Sequence, residues 1–497
     1  MRRIGQPDRI VVIGGGISGL SSAFYFLREA AARGRKPELT IVDPAERFGG
    51  KISTLHRDGF VIERGPDSFL ASKKPVIDLA FELGIDQELI GTNPAAEKTY
   101  IMHRGKLHPM PPGLMLGIPT EIAPFVKTGI LTWGAKLRAL MDLVLPAKKT
   151  DDDESLGSFL SRRLGPEVME RIAEPLLGGI YAGDLHKLSL QAAFPQFGES
   201  ERKYGSLIRG MKASRGKTPA AAVDADKLPA SARTAFLTFK GGLATMVNAL
   251  DRSLIGVERR METKAVRIEP ADGFFPGVNI DTAREAERGY PYRVVLSNGE
   301  TIEADGIVLA MPAYDAADLL EPHIDAAALR AVRYVSVANV TMAFKKETFG
   351  LESDGSEFVI PRSEGTSITA CTWISAKWPH ASPADQCLLR CNTGRAGDEA
   401  DVDLPDDQLA AAVKHDIREL MGITAEPIFT VITRLHRSMP QYPVCHLQQI
   451  GAMRGELAAK LPGVWATGAA FDGFDLPDCI RQGKEAAIRT IEALERR

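Results

Sequence analysis

The sequence predicts an α/β fold in which a Rossmann-like parallel sheet carries an additional α+β region and a helical region. The chain opens with a run of β-branched apolar residues, 10–13, that passes through a glycine-rich turn into a helical pattern from Leu20. A second apolar run, 39–42, ends in Asp43. A further strand, glycine turn and helix close the chain at 463–493. We therefore expect the sheet to combine the start, middle and end of the chain.

The opening turn has the spacing G-x-G-x-x-G, with glycines at 14, 16 and 19. Gly14 would permit the tight turn, Gly16 would let a pyrophosphate approach the backbone, and Gly19 would let the helix pack on the strand. The pyrophosphate is expected at the helix N-terminus. Asp43 is the acid expected about 20 residues later to bind a ribose diol, which favours FAD or NAD over NADP. The simpler alternative is a glycine-rich turn without a ligand.

A second glycine pair follows the acid, in the order Arg47, Phe48, Gly49, Gly50 and Lys51. This resembles the R-x-G-G motif of the flavoproteins with two dinucleotide-binding motifs, the superfamily of amine oxidases and phytoene desaturases. The resemblance implies FAD as cofactor. It also implies a FAD-binding domain of the p-hydroxybenzoate hydroxylase and amine oxidase type.

Composition limits the classes of function. A chain of 497 residues exceeds one ordinary core, so two or three domains are expected. Its net charge of -3 supplies no basic field for nucleic acid, and no apolar stretch reaches the ~18 residues of a membrane-spanning helix. With no signal-peptide core before the first strand, we expect a cytoplasmic protein. The five cysteines form no C-x-x-C and are interpreted as reduced thiols, without disulfide or zinc.

The first half of the chain then predicts mostly helices. A helical pattern after Lys73 ends at Gly84, and a short hairpin follows at 99–108. Residues 110–147 are rich in Pro, Gly, Met and Leu, which indicates an adaptable core, a hydrophobic channel or a patch on a membrane surface. Helices are expected to about residue 192, and 212–235 is interpreted as a mobile surface loop.

The second half predicts mostly strands. Residues 236–243 lead into a glycine turn and a helix, and an Asn-Gly turn marks a hairpin at 293–302. A buried strand at 304–312 is expected to join the parallel sheet. Later runs alternate as in a half-buried antiparallel sheet, with a helix over 406–422; these runs are 338–345, 358–361, 367–373, 388–393 and 428–435.

Four further motifs carry a more specific resemblance. They are residues 63–70 (ERGPDSFL), 174–184 (EPLLGGIYAGD), 439–442 (MPQY) and 477–480 (PDCI). Together they resemble the bacterial oxygen-dependent coproporphyrinogen III oxidase family, which is related to protoporphyrinogen oxidase. The similarity runs from about residue 10 to 487. It implies that FAD takes hydride equivalents from a porphyrinogen and that molecular oxygen reoxidises it, with three cycles and three hydrogen peroxides for six electrons.

The resemblance also implies roles for individual residues. The helix that starts near Pro477 would point its positive end at the flavin and stabilise its reduced form. Val266 would contact the adenine through its backbone. The predicted cofactor-binding residues are Gly14, Gly15, Gly16, Ile17, Ser18, Gly19, Asp43, Pro44, Gly50, Lys51, Gly65, Pro66, Asp67, Ser68, Val266, Phe474, Asp475 and Leu476.

Two residues are predicted on the substrate side. Lys73 would be a partner for a substrate propionate or a cation close to the flavin, the alternative being a solvated lysine. Ile180, with Tyr181, would form a wall of the substrate cavity or ordinary core. His436 and His446 are assigned no acid–base role. The implied domains are FAD-binding (1–72, 240–312 and 446–497), substrate-binding (73–96, 205–239 and 313–445) and a helical, membrane-associating subdomain (97–204).

Departures from the family pattern leave alternatives open. Leu435 stands where a Trp is frequent, Cys445 where a Gly is usual, and Asp475 puts an acid beside the expected flavin. The stretch from 272 to 292 is longer than usual. Protoporphyrinogen oxidase, an amine oxidase or carotenoid desaturase, and a flavin-free escort protein are the competing hypotheses. The implied partners are a porphyrinogen, oxygen, a peripheral membrane surface and a later-pathway ferrochelatase, but no nucleic acid.

Overall fold

The computed structural model of this chain describes residues 7–215, 228–271, 291–349 and 354–496. Half of the predicted loop at 212–235, residues 216–227, and nearly all of the insertion at 272–292, residues 272–290, lie outside the described residues.

The strands of the described residues fall into one parallel sheet, one large mixed sheet and several small ones. They are β1 Arg9–Ile13, β2 Glu38–Val42, β3 Thr54–Arg57, β4 Phe60–Glu63, β5 Phe69–Leu70, β6 Leu89–Gly91, β7 Lys98–His103, β8 Lys106–Pro109, β9 Leu114–Met115, β10 Ile118–Pro119, β11 Phe236–Phe239, β12 Glu258–Arg260, β13 Ala265–Pro270, β14 Tyr292–Leu296, β15 Thr301–Ala304, β16 Gly306–Leu309, β17 Arg333–Lys345, β18 Gly355–Val359, β19 Ile368–Trp373, β20 Gln386–Thr393, β21 Phe429–Gln441 and β22 Val464–Ala466.

The helices of the same residues range from single turns to 20 residues. They are α1 Ile17–Ala32, α2 Lys74–Glu82, α3 Ile122–Lys127, α4 Trp133–Leu140, α5 Leu156–Leu164, α6 Pro166–Val168, α7 Gly179–Tyr181, α8 Leu190–Ala193, α9 Pro195–Tyr204, α10 Leu207–Ser214, α11 Ala244–Ser253, α12 Ala313–Leu320, α13 Ala327–Ala331, α14 Lys346–Phe349, α15 Ile374–Lys377, α16 Asp406–Met421, α17 His446–Lys460 and α18 Leu476–Glu495. A π-helix, Met169–Gly178, joins α6 to α7.

The parallel sheet has the strand order β12-β2-β1-β16-β22. Ile13 of β1 is paired with Val42 on one side and with Leu309 on the other. Residues 10–13 are at most 3% exposed and their side chains alternate between two hydrophobic cores. One core includes residues of α1, α11 and α18, and the other includes residues of β13–β15, α12 and α17, so both faces of the sheet are covered. The predicted assembly from the start, middle and end of the chain is confirmed.

A second, seven-stranded sheet has the order β21-β17-β20-β19-β18-β7-β8. Its pairs are antiparallel except for β18 with β7, which run parallel. One face packs against Leu409, Val413 and Ile417 of α16 and forms a core of its own. The predicted hairpin at 99–108 thus becomes the edge of this sheet.

Residues 114–211 add a helical region with a third core, which includes Phe125, Phe159 and Phe197. Here one boundary prediction was wrong. Residues 212–214, predicted as the start of a loop, belong to α10, whose first turn is capped by Ser206 and whose Ile208 and Met211 are buried. Burial of that apolar face outweighs the helix-breaking composition that follows it.

Candidate active site

The glycine turn between β1 and α1 is shaped by backbone contacts. Gly14 has φ +113° and donates its N–H to the carbonyl of Val42 at 2.8 Å. A Cβ on Gly14 would lie 2.2 Å from the carbonyl oxygen of Ala310, and one on Gly19 only 1.8 Å from that of Gly14. Gly15 is closed in by the ring of Phe48, 2.4 Å from its ideal Cβ. These glycines are required by packing and by conformation.

Gly16 differs from its neighbours because a Cβ there would meet nothing within 4 Å. It is the N-cap of α1, and no side chain caps the helix at this point. Ile17 and Ser18 begin the helix, whose first N–H groups carry the positive end of its dipole. Open space in front of an uncapped helix N-terminus fits a pyrophosphate, so these residues fit the group that FAD would place there.

Asp43 lies at the carboxyl end of β2, on the edge of this turn. Its Oδ2 accepts the Gly15 N–H at 2.5 Å and its Oδ1 accepts the Ala45 N–H at 2.8 Å, so the carboxylate is held against the glycine backbone. Pro44 follows it and is exposed. The position of Asp43 suits hydrogen bonds to a ribose next to the pyrophosphate.

The second glycine pair docks directly on the first. Gly49 donates its N–H to the carbonyl of Gly15 at 2.8 Å, and Gly50 has φ +56°. Lys51 then points to the bulge in β21, where its Nζ donates to the Ser438 carbonyl. Part of the lysine is accessible to solvent, but the protein packed around it is enough to lower its pKa to about 8 by burial.

Residues 65–68 pack beside Lys51, since a Cβ on Gly65 would lie 1.9 Å from the Lys51 carbonyl oxygen. Pro66 and Ser68 are half-buried. The Asp67 carboxylate turns into the protein, with Oδ2 3.1 Å from Arg390 and 3.8 Å from Lys377, and accepts the Ser68 hydroxyl at 2.9 Å. Any contact of Asp67 with the cofactor would therefore use its backbone, and this role stays a prediction.

This buried ionic cluster was missed in the sequence. Burial of Asp67 alone would raise the pKa of its carboxyl, but the charges of Arg390 and Lys377 outweigh it and hold that pKa well below its usual range. Close by, burial raises the pKa of Glu63 to about 7, partly offset by hydrogen bonds from the Leu243 N–H and the Thr54 hydroxyl. Ion pairs between residues some 300 positions apart leave no local spacing pattern.

Val266 lies where the ladder between β13 and β14 is interrupted. Ala265 is paired with Leu296 and Arg267 with Val295, so the register skips Val266. A bulge of this kind frees one residue from the strand pairing. Its backbone is thereby available for the predicted adenine contact.

The glycine turns at 14–19 and 49–50, together with Asp43, form what we call the flavin cradle. The segment before α18 connects the end of the chain to this cradle. The Phe474 ring lies 4.3 Å from that of Tyr181, and Asp475 caps the helix by accepting the Asp478 N–H at 2.9 Å. Leu476 and Pro477 form the first turn. Helix α18 packs closely on α1, because a Cβ on Gly483 would lie 2.5 Å from the Ser18 carbonyl oxygen. The start of α18 is therefore held next to the start of α1.

Lys73 lies at the start of α2 and reaches this same segment. Its Nζ is 2.5 Å from Asp475 Oδ2 and 2.7 Å from Asp478 Oδ2. Burial would lower the pKa of Lys73, but the two carboxylates outweigh it and raise that pKa. The acid that departs from the family pattern thus has a cation as its partner, which the sequence did not reveal.

Ile180 and Tyr181 differ in their environment. Ile180 is 45% exposed, whereas Tyr181 is buried against Phe194 and Tyr442. The turn that carries them is held by Gln441, which donates to the Tyr181 carbonyl at 2.8 Å. Two of the four motifs, 174–184 and 439–442, are therefore in direct contact. A cavity-wall role for Ile180 fits its exposure and stays a prediction.

His446 has a structural environment. Its ring is buried, stacks on Tyr442 at 4.4 Å and lies 3.0 Å from the Phe471 carbonyl oxygen through Nε2. Across the described ranges, no group of three His, Cys, Asp or Glu residues is arranged to hold a metal ion. The helices in those ranges also include none with the length and apolar character to cross a bilayer.

Comparison with known proteins identifies the scaffold. Residues 17–491 match the family model described as flavin containing amine oxidoreductase. The chain belongs to this family. It is 43% identical to coproporphyrinogen III oxidase of Bacillus subtilis (strain 168), over 98% of both chains. It is 37% identical to the protein of the same name from Staphylococcus aureus, over 98% of this chain and 99% of the other.

A solved structure agrees with this assignment. The putative protoporphyrinogen oxidase from Exiguobacterium sp. 255-15 has 34% identity and a TM-score of 0.83, and the match covers 99% of each chain. The prediction of FAD as the cofactor of a flavin-dependent oxidoreductase is confirmed by family membership. The two enzyme names among these relatives differ in the porphyrinogen that they specify.

Proposed function

We propose that this chain is a coproporphyrinogen III oxidase of haem biosynthesis. It would remove six electrons from coproporphyrinogen III, with FAD as cofactor and oxygen as acceptor, and release coproporphyrin III and hydrogen peroxide. The observation that carries the proposal is the 43% identity, over nearly the whole of both chains, to a protein of that name. The flavin cradle supplies the independent physical support.

The bound FAD would supply the redox chemistry, accepting hydride equivalents from the macrocycle and passing electron pairs to oxygen. The protein would bind and orient it. The α1 N-terminus with Gly16 would hold the pyrophosphate, and Asp43 the ribose. Lys51 and the backbone of 65–68 would lie along the inner half, the Val266 backbone at the adenine, and residues 474–476 at the ring.

Oxidation of the porphyrinogen itself requires little acid–base machinery. The bridging C–H bonds lie between electron-rich pyrroles, so hydride loss leaves a stabilised cation and a pyrrole N–H proton can pass to water. The positive end of α18 would favour the electron-rich flavin. The protein's work is therefore orientation and electrostatics.

The test is aerobic turnover of the purified protein. We expect yellow material whose FAD spectrum bleaches with coproporphyrinogen III under argon, and porphyrin fluorescence that appears in air together with hydrogen peroxide. Colourless protein that leaves the substrate non-fluorescent would contradict the proposal and favour a flavin-free escort protein. Oxidation of amines in place of the porphyrinogen would favour an amine oxidase.

Protoporphyrinogen IX is the second candidate substrate, favoured by the name of the structural relative at TM-score 0.83. Coproporphyrinogen has four propionates and protoporphyrinogen has two. Initial rates of fluorescence increase with each substrate, compared as kcat/KM, separate the two. We expect the four-carboxylate substrate to be preferred.

We also propose that the enzyme is cytoplasmic and rests peripherally on a membrane. Trp133, Leu137 and Met141 are exposed along α4 and the turn after it, at a spacing of four residues, with the Trp 67% exposed. Val144 extends this patch. Of the five Lys or Arg between residues 122 and 149, Lys127 and Lys149 are exposed, and the one acid there, Asp142, is buried against Arg163. An apolar stripe with basic flanks suits an anionic lipid surface.

Vesicle sedimentation tests this surface. We expect the protein to sediment with phosphatidylglycerol vesicles and the Leu137→Ser, Val144→Ser variant to stay in solution. Ile255→Ser is the matched control, because Ile255 is 88% exposed but lies outside the patch. Binding to a ferrochelatase of the same pathway, and not to vesicles, would show instead that this partner occupies the patch.

A further inference from the structure

The N-terminus of α18 carries two carboxylates that share one ammonium. Asp475 and Asp478 are three residues apart, and both reach the Nζ of Lys73, at 2.5 and 2.7 Å. Arg481 is the next cation, 3.9 Å from Asp478, and it is engaged by Glu485 at 2.9 Å and by the Asp472 carbonyl. Lys73 is therefore the cation in contact with both acids.

The local backbone is built for this arrangement. Gly473 has φ +97°, and a Cβ there would lie 2.3 Å from Asp478 Oδ2, so the carboxylate occupies the space that a side chain would need. Asp475 divides its carboxylate, with Oδ1 accepting the Asp478 N–H and Oδ2 meeting Lys73. Burial, and after it the hydrogen bond and charge of Asp475, raise the pKa of Asp478, which the Lys73 ammonium opposes.

The cluster adjoins the flavin cradle. Phe474, just before it, packs on Tyr181 of the Ile180 turn. Cys479, just after it, has its thiol in contact with the Ser18 hydroxyl at the start of α1. Any net charge at 475–478 would therefore be felt by a flavin held between the start of α1 and the start of α18.

We propose that Lys73 is a positioning residue that balances these two carboxylates and so keeps the bound flavin reducible, and that it does not bind a substrate propionate. The proposal rests on the proposed function only for the identity of the substrate. The predicted effect of Lys73 on the flavin does not depend on which substrate is oxidised. Without the ammonium, the uncompensated negative charge of the two carboxylates would oppose electron uptake by the flavin.

The decisive experiment compares variants of the FAD-loaded enzyme in two independent measurements. The midpoint potential of the bound flavin is titrated anaerobically against a redox dye, and KM for coproporphyrinogen III is measured in air. We expect Lys73→Met to lower the midpoint potential and to slow anaerobic flavin bleaching about fivefold, as for a charge at a helix terminus. KM should stay within about twofold, because no substrate contact is lost.

Two controls make the inference specific. Lys74→Met removes a neighbouring exposed lysine and should leave the potential unchanged. Adding Asp475→Asn to Lys73→Met should restore the potential toward that of the wild type, because it removes the excess charge and Asn keeps the helix cap. Should Lys73→Met fail to fold, Asp475→Asn alone should raise the potential and Lys73→Arg should preserve it.

Either of two results would overturn the proposal. A rise in KM of tenfold or more with an unchanged potential would make Lys73 a propionate partner. An unchanged potential in both Asp475→Asn and Lys73→Met would show that the cluster does not act on the flavin. The potential requires no porphyrinogen, so a wild-type enzyme that reduces normally with dye but ignores coproporphyrinogen would contradict the proposed function and leave this inference standing.

Discussion

Gly16 and Gly50 lie against each other where the two glycine motifs meet: a Cβ on Gly50 would be 3.3 Å from the Gly16 Cα. The contact joins the turn after β1 to the loop after β2, and Gly49 adds a hydrogen bond to Gly15 at 2.8 Å. Neither motif alone forms a complete cradle. Together they leave the open space in front of Gly16 bordered by glycine backbone, which is the geometry that a pyrophosphate needs.

Valine at Gly16 and at Gly14 should therefore separate cofactor binding from folding. Gly16 has φ −74° and open space before it, so Gly16→Val should leave the apo-protein stable but reduce FAD affinity at least about tenfold. Gly14→Val must add about 1–3 kcal/mol of backbone strain to a clash with Ala310 and should lower the unfolding free energy itself. The 450 nm to 280 nm absorbance ratio and urea unfolding measure the two effects. Equal loss of stability in both variants would contradict this assignment.

Asp43→Ala should weaken FAD binding by about 1.5–3 kcal/mol, the range for a hydrogen bond to a charged group. The Gly15 N–H would also lose its acceptor. Glu46→Gln, three residues on and exposed, is the matched control and should bind FAD normally. Fluorescence titration of apo-enzyme with FAD provides the dissociation constants, and wild-type affinity in Asp43→Ala would remove Asp43 from the site.

Breaking the Asp67–Arg390 pair should strongly destabilise the folded protein. Arg390→Ala would leave a buried carboxylate without its nearest cation, and we expect a loss of about 3–5 kcal/mol in unfolding free energy. Arg330→Ala removes an arginine paired with exposed acids, Glu321 and Asp318, and should change stability little. Urea unfolding curves measure both. Similar losses of unfolding free energy in the two variants would show that the buried pair matters no more to stability than the exposed one.

Glu63 should make stability fall as the pH rises. Burial raises its pKa to about 7 in the folded protein, above the ordinary value of about 4.3 in the unfolded chain. The unfolded chain therefore releases this proton first, and the folded state loses stability from about pH 4.3 to about pH 7 and no further. Glu63→Gln cannot ionise and should lack this component. Unfolding free energies at pH 5 and pH 8 test it, and parallel changes in the two proteins would contradict it.

The parts of this structure that follow from local pattern were predictable. Residues 10–13 are β-branched and buried on both faces, the Asn298-Gly299 turn closes a hairpin, and Gly14 and Gly19 have positions that only glycine fits. The order of elements and the family resemblance followed from these patterns. Element boundaries were less certain where packing decided them, as in α10 and in the continuation of β21 to Gln441.

The electrostatic features were not predictable, because they join residues far apart in the chain. Lys73 and Asp475 are 402 residues apart in the sequence. Arg390 reaches Asp67 because β20, which carries it, lies inside the seven-stranded sheet between β17 and β19. The residue type at 73 suggested a propionate partner or a cation close to the flavin, and the one at 475 suggested an unfavourable acid. The ion pair between them changes the role that we assign to each residue, and no local sequence pattern predicts such a pair. The individual cofactor contacts and the three-domain division remain predictions for the same reason.

The central claim is most directly tested by the stoichiometry of a single aerobic reaction with purified, FAD-loaded enzyme and coproporphyrinogen III. Six electrons leave the porphyrinogen in three two-electron steps, so the account predicts three molecules of oxygen consumed and three of hydrogen peroxide formed for each fluorescent coproporphyrin III. Full FAD content with no porphyrin formed above the spontaneous rate, or porphyrin formed without peroxide, would contradict it.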